Sequence, residues 1–276
     1  VHLNKHVNFA LPQGASLPAA EKAKSLAQPT ALTFSPSGDT LYVAAFGSAK
    51  VAALPMSSLT ASGFESDASR HITVPAGPAG LALNASGSRL YVYSRIAHSV
   101  SVIDTAQRSV LSTRNLFSPE STVVKTGRQF LYDANLSSAN GSVSCASCHV
   151  FGDLDHLAWD LGNPDDVVLN DPLPVRIPPL LDTFVDFHPL KGPMATQTLR
   201  GMRGNGPLHW RGDRTGSNRA SVRGAAETLE EAAFKEFNPA FVSLLGRETP
   251  LPAAQMQTFT DFAMQLAMPP NPVRAL

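Results

Sequence analysis

A chain of 276 residues has room for one large domain or two ordinary ones. Its 43% hydrophobic and 16% charged residues describe a folded chain, not a disordered one. The 22 basic and 22 acidic side chains balance to zero, which argues against a nucleic-acid or anionic-membrane partner. No run of about 18 apolar residues occurs, so no membrane span is expected. The opening Val1-His2-Leu3-Asn4 is neither an initiator methionine nor a signal peptide, as in a processed or truncated chain.

An internal repeat comes first along the chain. Residues 29–43, with Leu32, Gly38 and the run Leu41-Tyr42-Val43, are echoed by residues 78–92, with Leu81, Gly87 and Leu90-Tyr91-Val92. Each copy reads as an alternating strand, a Ser/Gly turn and a second strand. A third strand follows at Lys50–Leu54 in one copy and Val100–Asp104 in the other, and Arg108–Leu111 fits a fourth. Three or four antiparallel strands returning after about 40–50 residues is the pattern of a propeller blade. Residues 25–115 resemble the propellers built from YVTN repeats, on the strength of Leu-Tyr-Val and Val100-Ser101-Val102-Ile103-Asp104. Two blades do not close a propeller, because each needs neighbours on both faces. The remaining blades are therefore expected from other sequence or from another chain.

Beyond Leu116 the texture becomes helical. Ser118 and Ser121 are capping residues ahead of a helix over 122–132. Further helices are expected over 225–237, with Leu229, Ala233 and Phe237 on one face, over 239–245 and over 252–266. In the last, Met256, Phe259, Phe262 and Leu266 form the apolar stripe. The expected fold class is thus multidomain β plus α: a partial β-propeller over 1–117, then a mainly helical domain over 118–276.

Both cysteines of the chain lie in Cys145-Ala146-Ser147-Cys148-His149, with Gly141-Ser142-Val143-Ser144 before them. No second Cys or His pair at finger spacing completes a structural zinc site. Cys-x-x-Cys-His is the attachment motif of c-type haem. Two thiols at this spacing reach two vinyl groups on one porphyrin edge, and His149 supplies the proximal imidazole. Haem c is attached outside the bacterial cytoplasm, so the motif predicts a periplasmic or cell-surface protein. The motif speaks for haem and not for one activity, since haem serves electron transfer, peroxide chemistry and sensing alike.

The flanks narrow the choice. Gly127-Arg128-Gln129-Phe130-Leu131-Tyr132-Asp133, then Leu136-Ser137, then Ser144 before the motif, resemble the opening of the bacterial di-haem cytochrome c peroxidase and MauG-like family. So do His188-Pro189-Leu190-Lys191-Gly192-Pro193 with Thr198-Leu199, and Leu208-His209-Trp210-Arg211-Gly212-Asp213-Arg214. The resemblance covers about residues 120–265, the first haem domain of that family. It implies His149 as proximal ligand, His188 as a removable distal ligand and Trp210 as the tryptophan between two haems. Two departures stand out: Arg211 interrupts the family's Trp-Asp-Gly-Arg order, and no second haem motif occurs. A second haem domain is therefore expected from sequence or a chain beyond this one.

Met194 is the rival sixth ligand, a thioether that would raise the potential. His209 and Trp210 are the further catalytic candidates, and Arg200 is the candidate partner of a haem propionate. Asp153, Asp155, Asp160, Asp165 and Asp166 could gather a calcium ion but lack the spacing of a calcium loop. Trp159 reads as a core residue, and Met256 and Met264 as packing. Two function classes remain: a peroxidase-like or MauG-like oxidoreductase, and a non-enzymatic electron carrier that uses the blades to dock a redox partner protein.

Overall fold

The computed structural model describes residues 2–7, 17–61, 63–159, 169–170, 186–187, 193–209, 214–216 and 227–273. The chain gathers into two compact units, Val1–Ser147 with Phe237–Gln265, and Cys148–Glu236 with Leu266–Leu276.

The first unit begins with a short helix, α1 (Ala19–Ala23), and continues into β1 (Pro29–Phe34), β2 (Thr40–Ala45) and β3 (Lys50–Pro55). Helix α2 (Met56–Leu59) and strand β4 (His71–Thr73) complete a four-stranded sheet in the order β1-β2-β3-β4. Strands β5 (Pro78–Leu83), β6 (Arg89–Ser94), β7 (Ser99–Asp104) and β8 (Ser109–Asn115) repeat the arrangement. Both sheets are antiparallel throughout, as in propeller blades.

The repeat dictates the turns. Gly38 and Gly87 adopt φ of +75° and +71°, a region closed to most residues with a Cβ. Each closes a tight turn by donating its N–H, to Ser35 O at 2.9 Å and to Asn84 O at 2.9 Å. Between the sheets lies one core cluster, with Tyr42, Val51 and Ala53 from the first and Leu90, Val92 and Ile103 from the second. Each of the fully buried aliphatic residues there contributes roughly 1.5–3 kcal/mol by leaving water. The opposite face of the first blade buries Val43, Ala45, Ala52 and Leu54 under Leu26 and Phe64.

Helices α3 (Thr122–Gly127), α4 (Gln129–Tyr132) and α5 (Ala134–Ser137) follow. Ser121 caps α3 by accepting from Val124 N–H, and the Asp133 carboxylate caps α5 by accepting from Asn135 and Leu136 N–H. The second unit pairs β9 (Ala158–Trp159) with a later strand, and β10 (Leu169–Asn170) with β11 (Asp186–Phe187). The partner of β9 is β12 (Met194–Ala195).

Helix α6 (Leu229–Lys235) starts later than its pattern predicts. Thr228 builds a capping box with Glu231, which sets the first turn. It buries Ala232, Ala233 and Phe234, while Leu229, expected on the buried face, is exposed. Back in the first unit are α7 (Ala240–Ser243) and α8 (Ala253–Ala263). Met256, Phe259 and Phe262 form the buried stripe of α8, and Phe259 packs edge-on against Phe241 with 6.1 Å between ring centroids. Leu266 does not join that stripe: α8 ends at Ala263, and the Leu266 carbonyl accepts from Gly201 N–H at 2.6 Å in the second unit. Met256 and Met264 are buried packing residues.

Candidate functional site

The loop ahead of the motif is held by the start of the chain. Lys22 Nζ donates to the carbonyls of Asn135 and Ser138, each at 2.9 Å, and Ser25 Oγ donates to Asn140 O at 2.6 Å. Phe46 of the first blade meets Tyr132 of α4 edge-on at 5.5 Å. Helix α4 then packs against the single 3₁₀ turn Cys145–Ser147. Ser147 N–H donates to Ser144 O at 2.9 Å, and Ser147 Oγ accepts from Ser144 N–H at 3.0 Å. Ala146 is buried beneath this turn.

Cys145 and Cys148 are both half-buried and are not joined in a disulfide. Burial pushes the Cys148 thiol up, and the charge of Asp155 adds to the shift. A second 3₁₀ turn, Val150–Gly152, follows His149, with Phe151 at φ +52°.

His149 has a defined hydrogen bond. Its Nδ1 lies 2.7 Å from the backbone carbonyl of Gln197. A carbonyl only accepts, so Nδ1 carries the proton and donates. In the neutral ring the lone pair then sits on Nε2. Burial lowers the pKa of His149, opposed by the backbone hydrogen bonds to Gln197 and Asp153 and by the charge of Asp155. The ring is therefore neutral at neutral pH, with Nε2 able to ligate a metal.

Arg200 lies on the same segment as Gln197. Its guanidinium donates to Phe151 O at 3.3 Å and faces the Asp153 carboxylate at 3.5 Å. Its Nε is buried and makes no hydrogen bond. Leu199 N–H donates to Gly152 O at 3.1 Å, so residues 197–200 run along the motif. The structure thus brings Arg200 beside the motif through contacts to Phe151 and Asp153. Gln197 is the residue that sequence reasoning missed; it acts through its backbone, which no side-chain pattern reveals.

Met194 pairs with Trp159 across β12 and β9. Trp159 is not the core residue expected: it is 40% exposed, with Nε1 donating to Asp155 at 2.7 Å. Burial opposes ionisation of Asp155, but hydrogen bonds from Trp159, Leu157 and Thr196 hold its carboxyl below the ordinary carboxylate range. His209 has φ +69°, and the preceding Leu208 N–H donates to Arg214 O at 2.8 Å. His188 and Trp210 lie outside the described residues, as do Asp160, Asp165 and Asp166. Among the described residues no three His, Cys, Asp or Glu side chains cluster to hold a metal ion, and no helix is long and apolar enough to cross a membrane.

No protein-family model matches the chain, and no curated protein matches it. Solved structures resemble it over a part of its length. Hydrazine synthase of Kuenenia stuttgartiensis shares 24% identity over 33% of this chain and 24% of its own, with a TM-score of 0.29. The periplasmic gluconolactonase PpgL of Pseudomonas aeruginosa shares 20% over 34% of this chain and 28% of its own, with a TM-score of 0.31. AztD of Citrobacter koseri shares 14% over 42% and 25%, with a TM-score of 0.26. These neighbours are propeller-containing proteins, and the chain spans about a quarter of their length.

Proposed function

We propose that the chain is a c-type cytochrome of the di-haem cytochrome c peroxidase or MauG-like type, with haem c held by Cys145, Cys148 and His149. The observation that carries this reading is the hydrogen bond from His149 Nδ1 to Gln197 O, which keeps the proton off Nε2 and orients the ring as a ligand. The residues around it fit the same group. Two half-buried thiols at two-residue spacing can form two thioether bonds. Arg200, which faces the Asp153 carboxylate through its Nε at 3.5 Å, carries further guanidinium N–H groups suited to a propionate carboxylate.

Bound there, haem supplies one-electron redox chemistry, with a potential set by its axial ligands and burial. The chain's own part is positional. Gln197 holds the proton on Nδ1, Arg200 neutralises a carboxylate, and the exposed Val150, Phe151 and Leu157 beside the motif offer apolar cover against water. The Gln197 carbonyl is bonded to His149 Nδ1, away from Nε2, and His188 or Met194 would supply a second ligand to the haem. In the peroxidase reading His188 would be a removable ligand, and His209 or a carboxylate near Asp186 would be the proton donor or acceptor. Attachment of haem c places the protein in the periplasm or at the cell surface.

One observation favours a second reading, a non-enzymatic electron carrier that docks a redox partner through its blades. Both cysteines lie in one motif, so residues 1–276 would themselves hold one haem. The test is expression in a bacterial periplasm that matures c-type cytochromes, followed by haem staining of a denaturing gel. The band should stain and should be lost in Cys145→Ala/Cys148→Ala; pigment that extracts into acidified organic solvent refutes covalent attachment. His188→Gly should keep the stain and give a high-spin ferric spectrum with peroxide turnover under the enzymatic reading. A low-spin spectrum left unchanged, without turnover, assigns the chain to electron transfer.

A further inference from the structure

The short segment that carries the acceptor for His149 is tethered on both sides of Gln197. After Gln197, Leu199 N–H donates to Gly152 O at 3.1 Å, and the Arg200 guanidinium donates to Phe151 O at 3.3 Å. Before Gln197 the tether centres on one carboxylate. Asp155 Oδ1 accepts from Leu157 N–H at 3.0 Å, closing a turn around His156, which stands at φ +59°. Asp155 Oδ2 accepts from Trp159 Nε1 at 2.7 Å, and the Thr196 side chain bonds the same carboxylate.

These bonds have a task that the strands cannot perform alone. Strands β9 and β12 are two residues each, with Trp159 opposite Met194 and Ala158 opposite Ala195. Even a full two-stranded hairpin is marginal in water, so a ladder this short does not fix its neighbours. Thr196 N–H adds one bond, to Leu157 O at 3.1 Å. The carboxylate gathers the turn, the Trp159 indole and Thr196 at one point, one residue before the Gln197 carbonyl. That carbonyl lies 2.7 Å from His149 Nδ1, at the short end of the N–H···O range, where a small displacement weakens the bond.

We propose that Asp155 is a positioning residue for His149: by tying Trp159 to Thr196 it fixes the Gln197 carbonyl on Nδ1, and so sets how strongly the imidazole donates from Nε2. An acceptor at Nδ1 raises the basicity of the ring, which favours the oxidised iron and lowers the potential. The consequence at the iron rests on the haem reading. The tether itself is a property of the chain.

The experiment therefore has two readouts, on wild type, Asp155→Asn and Trp159→Phe. The first uses the full chain produced without haem. Nitrogen NMR shifts of His149 should place the proton on Nδ1. In Asp155→Asn that proton should exchange with solvent roughly tenfold faster, the effect of losing a hydrogen bond to a charged group. The second uses the haem-loaded chain. Asp155→Asn should raise the ratio of reduced to oxidised haem at a fixed potential roughly tenfold, about 59 mV for one electron. Trp159→Phe keeps the carboxylate and its charge and loses only the Nε1 bond, so it should move both readouts in the same direction by a smaller factor. If Asp155→Asn moves the potential while Trp159→Phe changes neither readout, the carboxylate acts by charge alone and the positioning role is overturned. Unchanged proton exchange in Asp155→Asn overturns it as well, as does a wild type with its proton on Nε2. Should Asp155→Asn lose the cross-strand signals between Trp159 and Met194, Trp159→Phe decides by itself. A wild type that takes up no haem refutes the haem reading, and the exchange rates then judge the tether alone.

Discussion

Replacing Gly127 by alanine sets two effects of opposite sign against each other. Gly127 ends α3 with ordinary helical backbone, so intrinsic propensity alone favours Gly127→Ala by up to about 1 kcal/mol. Helix α8 decides otherwise. A Cβ at this position would lie 2.3 Å from Phe262 Cβ and 2.5 Å from Thr258 O. The second atom is backbone and cannot rotate aside, so the helices must separate. Overpacking of this kind costs typically 1–3 kcal/mol, and two contacts this short put the cost near the top, about 3 kcal/mol. The net loss is about 2 kcal/mol. At about 2–4 °C per kcal/mol for a domain of this size, the melting midpoint should fall by about 4–8 °C. Thermal unfolding followed by far-UV circular dichroism reads this directly. Gly63→Ala is the control, since a Cβ there meets nothing within 4 Å, and it should change little. An unchanged or raised midpoint in Gly127→Ala would refute the close α3–α8 contact.

Two further outcomes rest on local chemistry. Thr228→Ala removes the half of the capping box on α6 in which Thr228 Oγ1 accepts from Glu231 N–H at 3.2 Å, and should cost about 1 kcal/mol, read as faster amide exchange along α6. Unchanged exchange rates would show that the cap is not formed. His71 provides the pH dependence: burial, then the charge of Lys50, lowers its pKa from 6.5 to about 4, against the Ala23 carbonyl and Asp67, with His6 adding to the lowering. The unfolded chain therefore binds the proton first, and stability falls as pH drops from about 6.5 towards about 4. Discounted for partial exposure of the ring, the loss is about 2 kcal/mol. Urea unfolding across that window should show a shallower slope in His71→Gln, and equal slopes in the two proteins would count against it.

The blades were legible because a hairpin is local. Alternating strands and a Gly turn repeated in register specify each sheet without reference to anything distant. The helix start at Ser121 was legible for the same reason, whereas the capping box at Thr228 sets the start of α6 later than its apolar pattern. Cys145, Cys148 and His149 stand within five residues, so their grouping is also written in the sequence. What surrounds them is not. The partner of His149 is a backbone carbonyl 48 residues away, and every residue carries such a carbonyl, so no side-chain pattern distinguishes Gln197. Leu-Tyr-Val occurs twice with the same neighbours, yet one tyrosine is buried and the other exposed. Sequence determines which face of a strand is apolar; only the packing of one sheet on another decides which apolar face is covered, because burial is a property of the neighbour and not of the strand.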